Sequence, residues 1–190
     1  MAGHYYNGRE LELLIPASSL EVLKIAVIFG ADAVYIGGEA FGLKAKNFSK
    51  EDMVEGIKFA HERDVKVYVT ANILAHNYDL DGAREYFKEL DVIKPDAVII
   101  SDPGMFTIAK EELHDIDIHI STQANNTNYM TYQFWWKQGA KRVVTARELS
   151  LNEIRNIRKN IPDEMEIETF IHGAMCISYS GRCLLSSFMA

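Results

Sequence analysis

The sequence predicts an α/β protein: a parallel β/α (TIM-like) barrel, incomplete at its C-terminal end. Three observations lead there. Seven strand-like apolar runs alternate with six helix-like segments along 190 residues, and such alternation implies parallel strands joined by right-handed crossovers. Several runs, Ala97-Val98-Ile99-Ile100 among them, are apolar throughout, as expected of strands covered by helices. The first strand is followed by Pro16-Ala17-Ser18-Ser19, where an open, doubly wound sheet would carry a glycine-rich phosphate turn. The barrel is therefore favoured over the open sheet. It is expected as one partial domain over residues 1–190, lacking its last strand–helix unit.

Each element has its own local reason. Leu11 to Ile15 is a short apolar run closed by Pro16, and is the first strand. Ser18 and Glu21 have capping-box spacing and open a helix that Gly30 stops. Ala33 to Ile36 is the second strand, followed by Gly37-Gly38 and a loop through Lys44-Ala45-Lys46-Asn47. Ser49 caps a second helix, in which Met53, Ile57 and Ala60 recur at helical spacing. Strands are then expected over 65–71, 97–100, 116–120 and 142–144, with helices over 79–93, 104–113 and 127–138 between them. Ser150 with Glu153 is a second capping box, opening a helix to about Asn160. Residues 165–171 are the seventh strand, and the chain from Gly173 reads as loop or short helix.

Composition excludes some classes. Hydrophobic residues make 48% and charged residues 25%, an ordinary globular balance. No apolar run approaches the roughly 20 residues that span a bilayer, and residues 1–6 lack the basic-then-apolar layout of a secretory leader. A cytoplasmic protein without membrane contact is expected. The net charge of −7 is uneven: residues 1–120 hold 12 Lys and Arg against 21 Asp and Glu, whereas 121–190 hold 8 against 6. Phosphate backbones are bound by Lys and Arg, so the first two thirds suit nucleic acid poorly. RNA contact is expected from the later segment or from sequence outside this chain.

In a β/α barrel the chemistry sits at the C-terminal ends of the strands. Those ends carry Asn72, Asp102, then Gln123, Asn125 and Asn126, then Arg147 and Glu148, and finally Glu168 and His172. Asp102, Gln123, Glu168 and His172 are candidates for proton transfer and hydrogen bonding to a reacting group. Asn72, Asn125 and Arg147 are candidates for holding substrate. Simpler roles compete with each. Asp102 before Pro103-Gly104 is also a helix cap, Gln123 and the asparagines can satisfy loop backbone, and Arg147 with Glu148 reads slightly better as a solvated pair. Glu168 alternates with Ile167, and an inward carboxylate needs a partner. His61-Glu62 lacks the second histidine of a zinc-protease helix and reads as surface. Tyr132, Phe134, Trp135 and Trp136 read as core packing of the fifth helix rather than an interface. The two cysteines, Cys176 and Cys183, lie close in sequence, which in a cytosolic protein favours metal or redox chemistry over a disulfide.

The strongest local signal is Glu168-Thr169-Phe170-Ile171-His172-Gly173-Ala174-Met175-Cys176, continuing through Gly181 and Cys183 to Leu185-Ser186. It resembles the signature of the U32 family, historically called peptidase U32 or collagenase-like, at every fixed position. Tyr35-Ile36-Gly37-Gly38, Ser121-Thr122-Gln123-Ala124-Asn125-Asn126-Thr127-Asn128 and Ala146-Arg147-Glu148-Leu149-Ser150 are similar to other family segments. The form of Lys44-Ala45-Lys46-Asn47-Phe48-Ser49 looks closest to the bacterial branch linked to tRNA uridine hydroxylation. The resemblance implies a barrel and an oxygen-independent hydroxylation of tRNA, ribosomal RNA or quinone precursors. It also implies a [4Fe–4S] cluster held by four cysteines, and prephenate as a reactant in the RNA branches. Cys176 and Cys183 match the first two cluster ligands, and the other two are expected beyond Ala190. Since such clusters normally take four thiolates, this stretch alone is expected to hold half a site.

Three functions follow as alternatives. The first is a tRNA hydroxylation enzyme, with tRNA held by regions outside this chain. The second is a peptidase, for which His172 and Cys176 stand four residues apart, although no orienting third group or oxyanion hole is evident. The third is a non-catalytic scaffold. An incomplete barrel exposes strand edges, so a second copy or a partner subunit is expected to associate.

Overall fold

A small hairpin precedes the barrel sheet. In the computed structural model, which describes residues 4–6, 8–38, 40–42, 48–173 and 175–183, strand β1 (His4–Tyr6) pairs antiparallel with β2 (Arg9–Leu11). The first barrel strand is β3 (Leu14–Pro16), not residues 11–15 as expected. Leu11 belongs to the hairpin, and Leu13 anchors the new direction, its N–H donating to Asp32 Oδ2 at 2.8 Å and its carbonyl accepting from Asp32 and Ala33. The loop through Lys44–Asn47 and the signature's Ala174, Leu185 and Ser186 lie outside the described residues.

Strands and helices then alternate: α1 (Leu20–Ile28), β4 (Ala33–Gly37), α2 (Lys50–His61), β5 (Lys66–Ala71), α3 (Leu80–Ile93), β6 (Ala97–Ile100), α4 (Pro103–Glu112), β7 (Asp117–Ile120), α5 (Tyr129–Gln138), β8 (Arg142–Val144), α6 (Leu151–Lys159) and β9 (Glu166–Glu168). Strands β3 to β9 form one parallel sheet in chain order. A doubly wound sheet reverses its strand order at a switch point; this order never reverses. The sheet curls into a half-barrel flanked by helices, as the sequence predicts. Strand β9 is shorter than the expected 165–171, because its last ladder bond, from Thr145 N–H to the Glu168 carbonyl, leaves later residues without a partner strand.

Local signals account for most helix starts. Ser49, Asp102, Asn128 and Ser150 each accept a backbone N–H of the first turn, and Ser150 with Glu153 completes a capping box. The expected box at Ser18 is not formed. Ser19 is the cap instead, accepting from Val22 N–H at 3.2 Å, which puts Glu21 one position too early to close a box. No helix among the described residues is long and apolar enough to cross a membrane.

Alternation along the strands divides the apolar side chains. Val34, Ile36, Val67, Val69, Val98, Ile100, Ile118, Ile120 and Val143 pack with helix residues such as Leu23, Phe87, Met105 and Trp135. Ala33, Tyr68, Ala97 and Ile99, with Tyr35 and Leu14, form a second cluster on the concave side. On α5, Tyr132 and Trp135 are buried and Trp136 packs on the core, while Phe134 is exposed. The expected core packing thus holds for Tyr132, Trp135 and Trp136 and not for Phe134.

Candidate functional site

The C-terminal ends of β5, β6 and β7 are joined by short polar contacts. Ser101 Oγ donates to the Asn72 carbonyl at 2.7 Å, and Asn72 Nδ2 reaches Ser121 Oγ at 3.4 Å. Ser121 Oγ in turn accepts the Gln123 N–H at 3.2 Å, opening a one-turn 3₁₀ helix, Thr122–Ala124. The turn ends at Asn125 in the left-handed conformation (φ 54°), which asparagine tolerates better than most residues. Asn126 is buried, its Oδ1 accepting from Trp135 Nε1 at 2.9 Å. Asp102 spends one carboxylate oxygen on the Met105 N–H at 3.0 Å, as a helix cap.

The cysteine-bearing tract comes back over this rim. Gly181 (φ +64°) lies against the Gln123–Asn125 turn, and a Cβ there would overlap the Gln123 carbonyl. The left-handed backbone and the close approach both call for glycine. From the other side, Arg147 and Glu148, which follow β8, hold the same tract. Arg147 Nη1 donates to the Cys176 carbonyl at 2.9 Å and Nη2 to the Ser178 carbonyl at 2.7 Å. Glu148 accepts the Ser180 N–H. The expectation of a solvated Arg147–Glu148 pair is thus overturned: the chain returns over both side chains. Cys176 is exposed and Cys183 partly so, and neither is in a disulfide. An open cleft of about 550 Å³ runs beside Cys176, between the start of α6 and residues 169–171 and 175–179, with Leu151, Ile154, Phe170 and Met175 in its walls. Two buried oxygens against the tract, Asn125 Oδ1 and Glu148 Oε2, have no hydrogen-bond partner among the described residues.

The candidates therefore divide. Gln123, Asn125, Arg147 and Cys176 are brought together by the returning tract, Asn72 joins them through Ser121, and Cys183 follows Gly181 by two positions. Glu168 is turned elsewhere. Its carboxylate faces the barrel interior, 3.5 Å from Arg142 Nη1. Burial pushes its pKa up, Arg142 opposes this, and the nearby Glu12 and Glu166 charges reinforce it. His172 is exposed, and among the described residues no hydrogen bond joins it to Cys176.

Sequence reasoning missed the interior charge network. Arg142 pairs with Glu12 and Glu166 at 2.5 Å each, and Tyr68 Oη donates to Glu12 at 2.7 Å. His119 lies edge-on to Tyr68, and burial first, then Arg142, Lys66 and Lys141, keeps it neutral. Arg142, Glu166 and Lys66 each begin a strand and Glu12 precedes β3, so the network closes the end of the barrel opposite the cysteines. A signal was present: arginine opening the buried run Arg142-Val143-Val144 needs an acidic partner.

This combination of half-barrel and docked two-cysteine tract falls within a known group. The chain belongs to Peptidase family U32, whose model matches residues 18–190. It is 47% identical to tRNA hydroxylation protein P1 of Bacillus subtilis over 190 residues, 96% of this chain and 44% of that protein. It is 43% identical to an uncharacterized protease of Methanocaldococcus jannaschii, covering 94% of this chain and 44% of that protein. A solved U32 peptidase superposes with a TM-score of 0.72 over 89% of this chain and 72% of its own, at 15% identity, which bears on fold alone. The chain thus spans less than half the length of these curated relatives.

Proposed function

We propose that this chain is the barrel portion of an RNA-hydroxylating protein acting on tRNA in the cytoplasm, with Cys176 and Cys183 as two ligands of a [4Fe–4S] cluster. The observation that carries the reading is the docking of the two-thiol tract on the barrel mouth, where β/α enzymes do their chemistry. The name of the Bacillus subtilis relative supports tRNA as the substrate class.

The donor set fits such a cluster in part. Two cysteines outside any disulfide suit the iron of a cluster, and no group of three or more His, Cys, Asp or Glu stands ready to bind a metal among the described residues. Two more thiolates would have to come from elsewhere in the longer polypeptide. When bound, the cluster would supply electron transfer. The chain's own residues would do the rest. Asn72, Gln123 and Asn125 would offer hydrogen bonds to a substrate at the rim, and Asp102, with one carboxylate oxygen engaged in capping, keeps acceptor capacity on the other. Glu168, turned to Arg142 in the barrel interior, would take no part at this rim. His172 would reach substrate from the exposed segment behind the thiols. Prephenate is the small reactant we propose to test alongside tRNA, with RNA contacts supplied mainly outside this acidic stretch.

A peptidase reading is disfavoured by His172, which makes no hydrogen bond to Cys176 among the described residues, whereas a thiol nucleophile needs a positioned base. The deciding experiment is anaerobic reconstitution with iron and sulfide, followed by absorbance and iron counting. The longer native polypeptide is expected to take up a stoichiometric cluster and this chain alone is not. tRNA from cells lacking the protein should lose hydroxylated uridine, and Cys176→Ala should fail to restore it. Gelatin cleavage that Cys176→Ala abolishes would replace this reading with the peptidase one.

A further inference from the structure

The backbone between the two thiols has no regular secondary structure, yet it is gripped by groups of both polarities. The Arg147 guanidinium takes two of its carbonyls, Cys176 and Ser178. Arg147 Nε and the Arg147 backbone N–H both donate to Ser180 Oγ, at 3.2 and 3.1 Å. The Glu148 carboxylate takes the Ser180 N–H, and Ser180 is buried although Ile177 and Tyr179 beside it are exposed. Gly181 then seats the tract on the Gln123 turn. An irregular segment loses conformational entropy when ordered, and charge-assisted hydrogen bonds to its main chain offset that loss. A planar guanidinium can serve two carbonyls and a hydroxyl at once, which an ammonium on a flexible stem does poorly.

We propose that Arg147 and Glu148 are positioning residues for the cysteine pair: they fix the backbone between Cys176 and Cys183 so that both sulfurs meet one soft metal centre. Arg147 thereby leaves the set of substrate-binding candidates, since its donors are occupied by the chain's own carbonyls and Ser180. The inference rests on reading the two thiols as ligands. It adds that their pairing is built into the fold before any metal arrives.

Cadmium is the probe, followed by thiolate-to-metal charge-transfer absorbance, beside amide exchange of Ser180 and thermal melting followed by circular dichroism. The parent chain should bind cadmium at least tenfold tighter than Cys183→Ser. Arg147→Lys and Glu148→Leu should each lose about tenfold in cadmium affinity and speed Ser180 exchange about tenfold, with melting nearly unchanged. Glu148→Gln, which keeps an acceptor oxygen, should retain the parent affinity. Should an Arg147 variant fail to fold, Ser180→Ala removes two of the same contacts and is held to the same tenfold loss. A parent chain no tighter than Cys183→Ser would overturn the proposal. So would faster exchange with unchanged cadmium affinity, which would leave only a loop staple. The cluster reading is judged separately, by iron counting on the longer native polypeptide: two-thiol cadmium binding without an iron cluster there would sink that reading and leave the clamp standing.

Discussion

Arg142 carries three carboxylates inside the barrel with only 8% of its side chain exposed. Two of those carboxylates respond in opposite senses. Burial works to raise Glu12, but the contacts with Arg142, Tyr68 and Lys66 overcome it and hold the group below its ordinary value. Glu168 makes the longer contact and is raised. By linkage, ionised Glu12 stabilises the fold at neutral pH, and this contribution is lost as pH falls through its lowered value. Ionised Glu168 does the reverse, costing stability as pH rises above the ordinary carboxylate range. Arg142→Met is accordingly expected to cost about 3–5 kcal/mol at neutral pH by urea unfolding, as for other broken buried ion pairs. The penalty should shrink in acid, where the stranded carboxylates take up protons. Glu168→Gln should be neutral or stabilising at neutral pH, with the difference vanishing in acid. A clear loss of stability in that variant at neutral pH would contradict a raised Glu168.

At the scale of single elements, α6 is the sharpest case. Its only buried residue is Ile157, so little core packing holds it and its ends matter more. Ser150 and Glu153 exchange hydrogen bonds in the capping box, with the Ser150 N–H 2.8 Å from Glu153 Oε2. Removing such a cap typically costs about 1 kcal/mol. Ser150→Ala should therefore lower stability by about that much in denaturant titration, while Ser18→Ala, outside the observed cap, should change nothing measurable. Because α6 begins three residues after Glu148, fraying it should also quicken amide exchange at Ser180.

Across the whole molecule, the edge strands β3 and β9 have no second neighbour in the parallel sheet among the described residues. Apolar side chains cluster beside β9: Ile171 is 82% and Leu151 70% exposed, flanking the open cleft. Unpaired edges and exposed apolar patches both promote association. Light scattering over a concentration series should show this chain self-associating, and Ile171→Lys should reduce it. A strictly monomeric, well-folded chain would count against the exposed edge.

The sequence alone determined the order of strands and helices, the parallel pairing, most helix caps and the two-cysteine signature, because each is written in contiguous residues. Apolar runs, Ser or Asp before a helix, and glycines at tight turns act over a few positions. It misplaced the first strand and the end of the last one, where the outcome depends on which segment is available to pair. Glu12 and Arg142, 130 positions apart, show the same limit, since an arginine in a buried run calls for an acidic partner without naming which one. Arg147 and Glu148 read as solvated under the same limit. Only the tertiary structure decided that Glu168 turns inward to Arg142 while the thiol tract folds back over Gln123 and Arg147. Those are contacts between distant segments, set by the curl of the sheet and by the carbonyls and amides that the returning chain brings within reach.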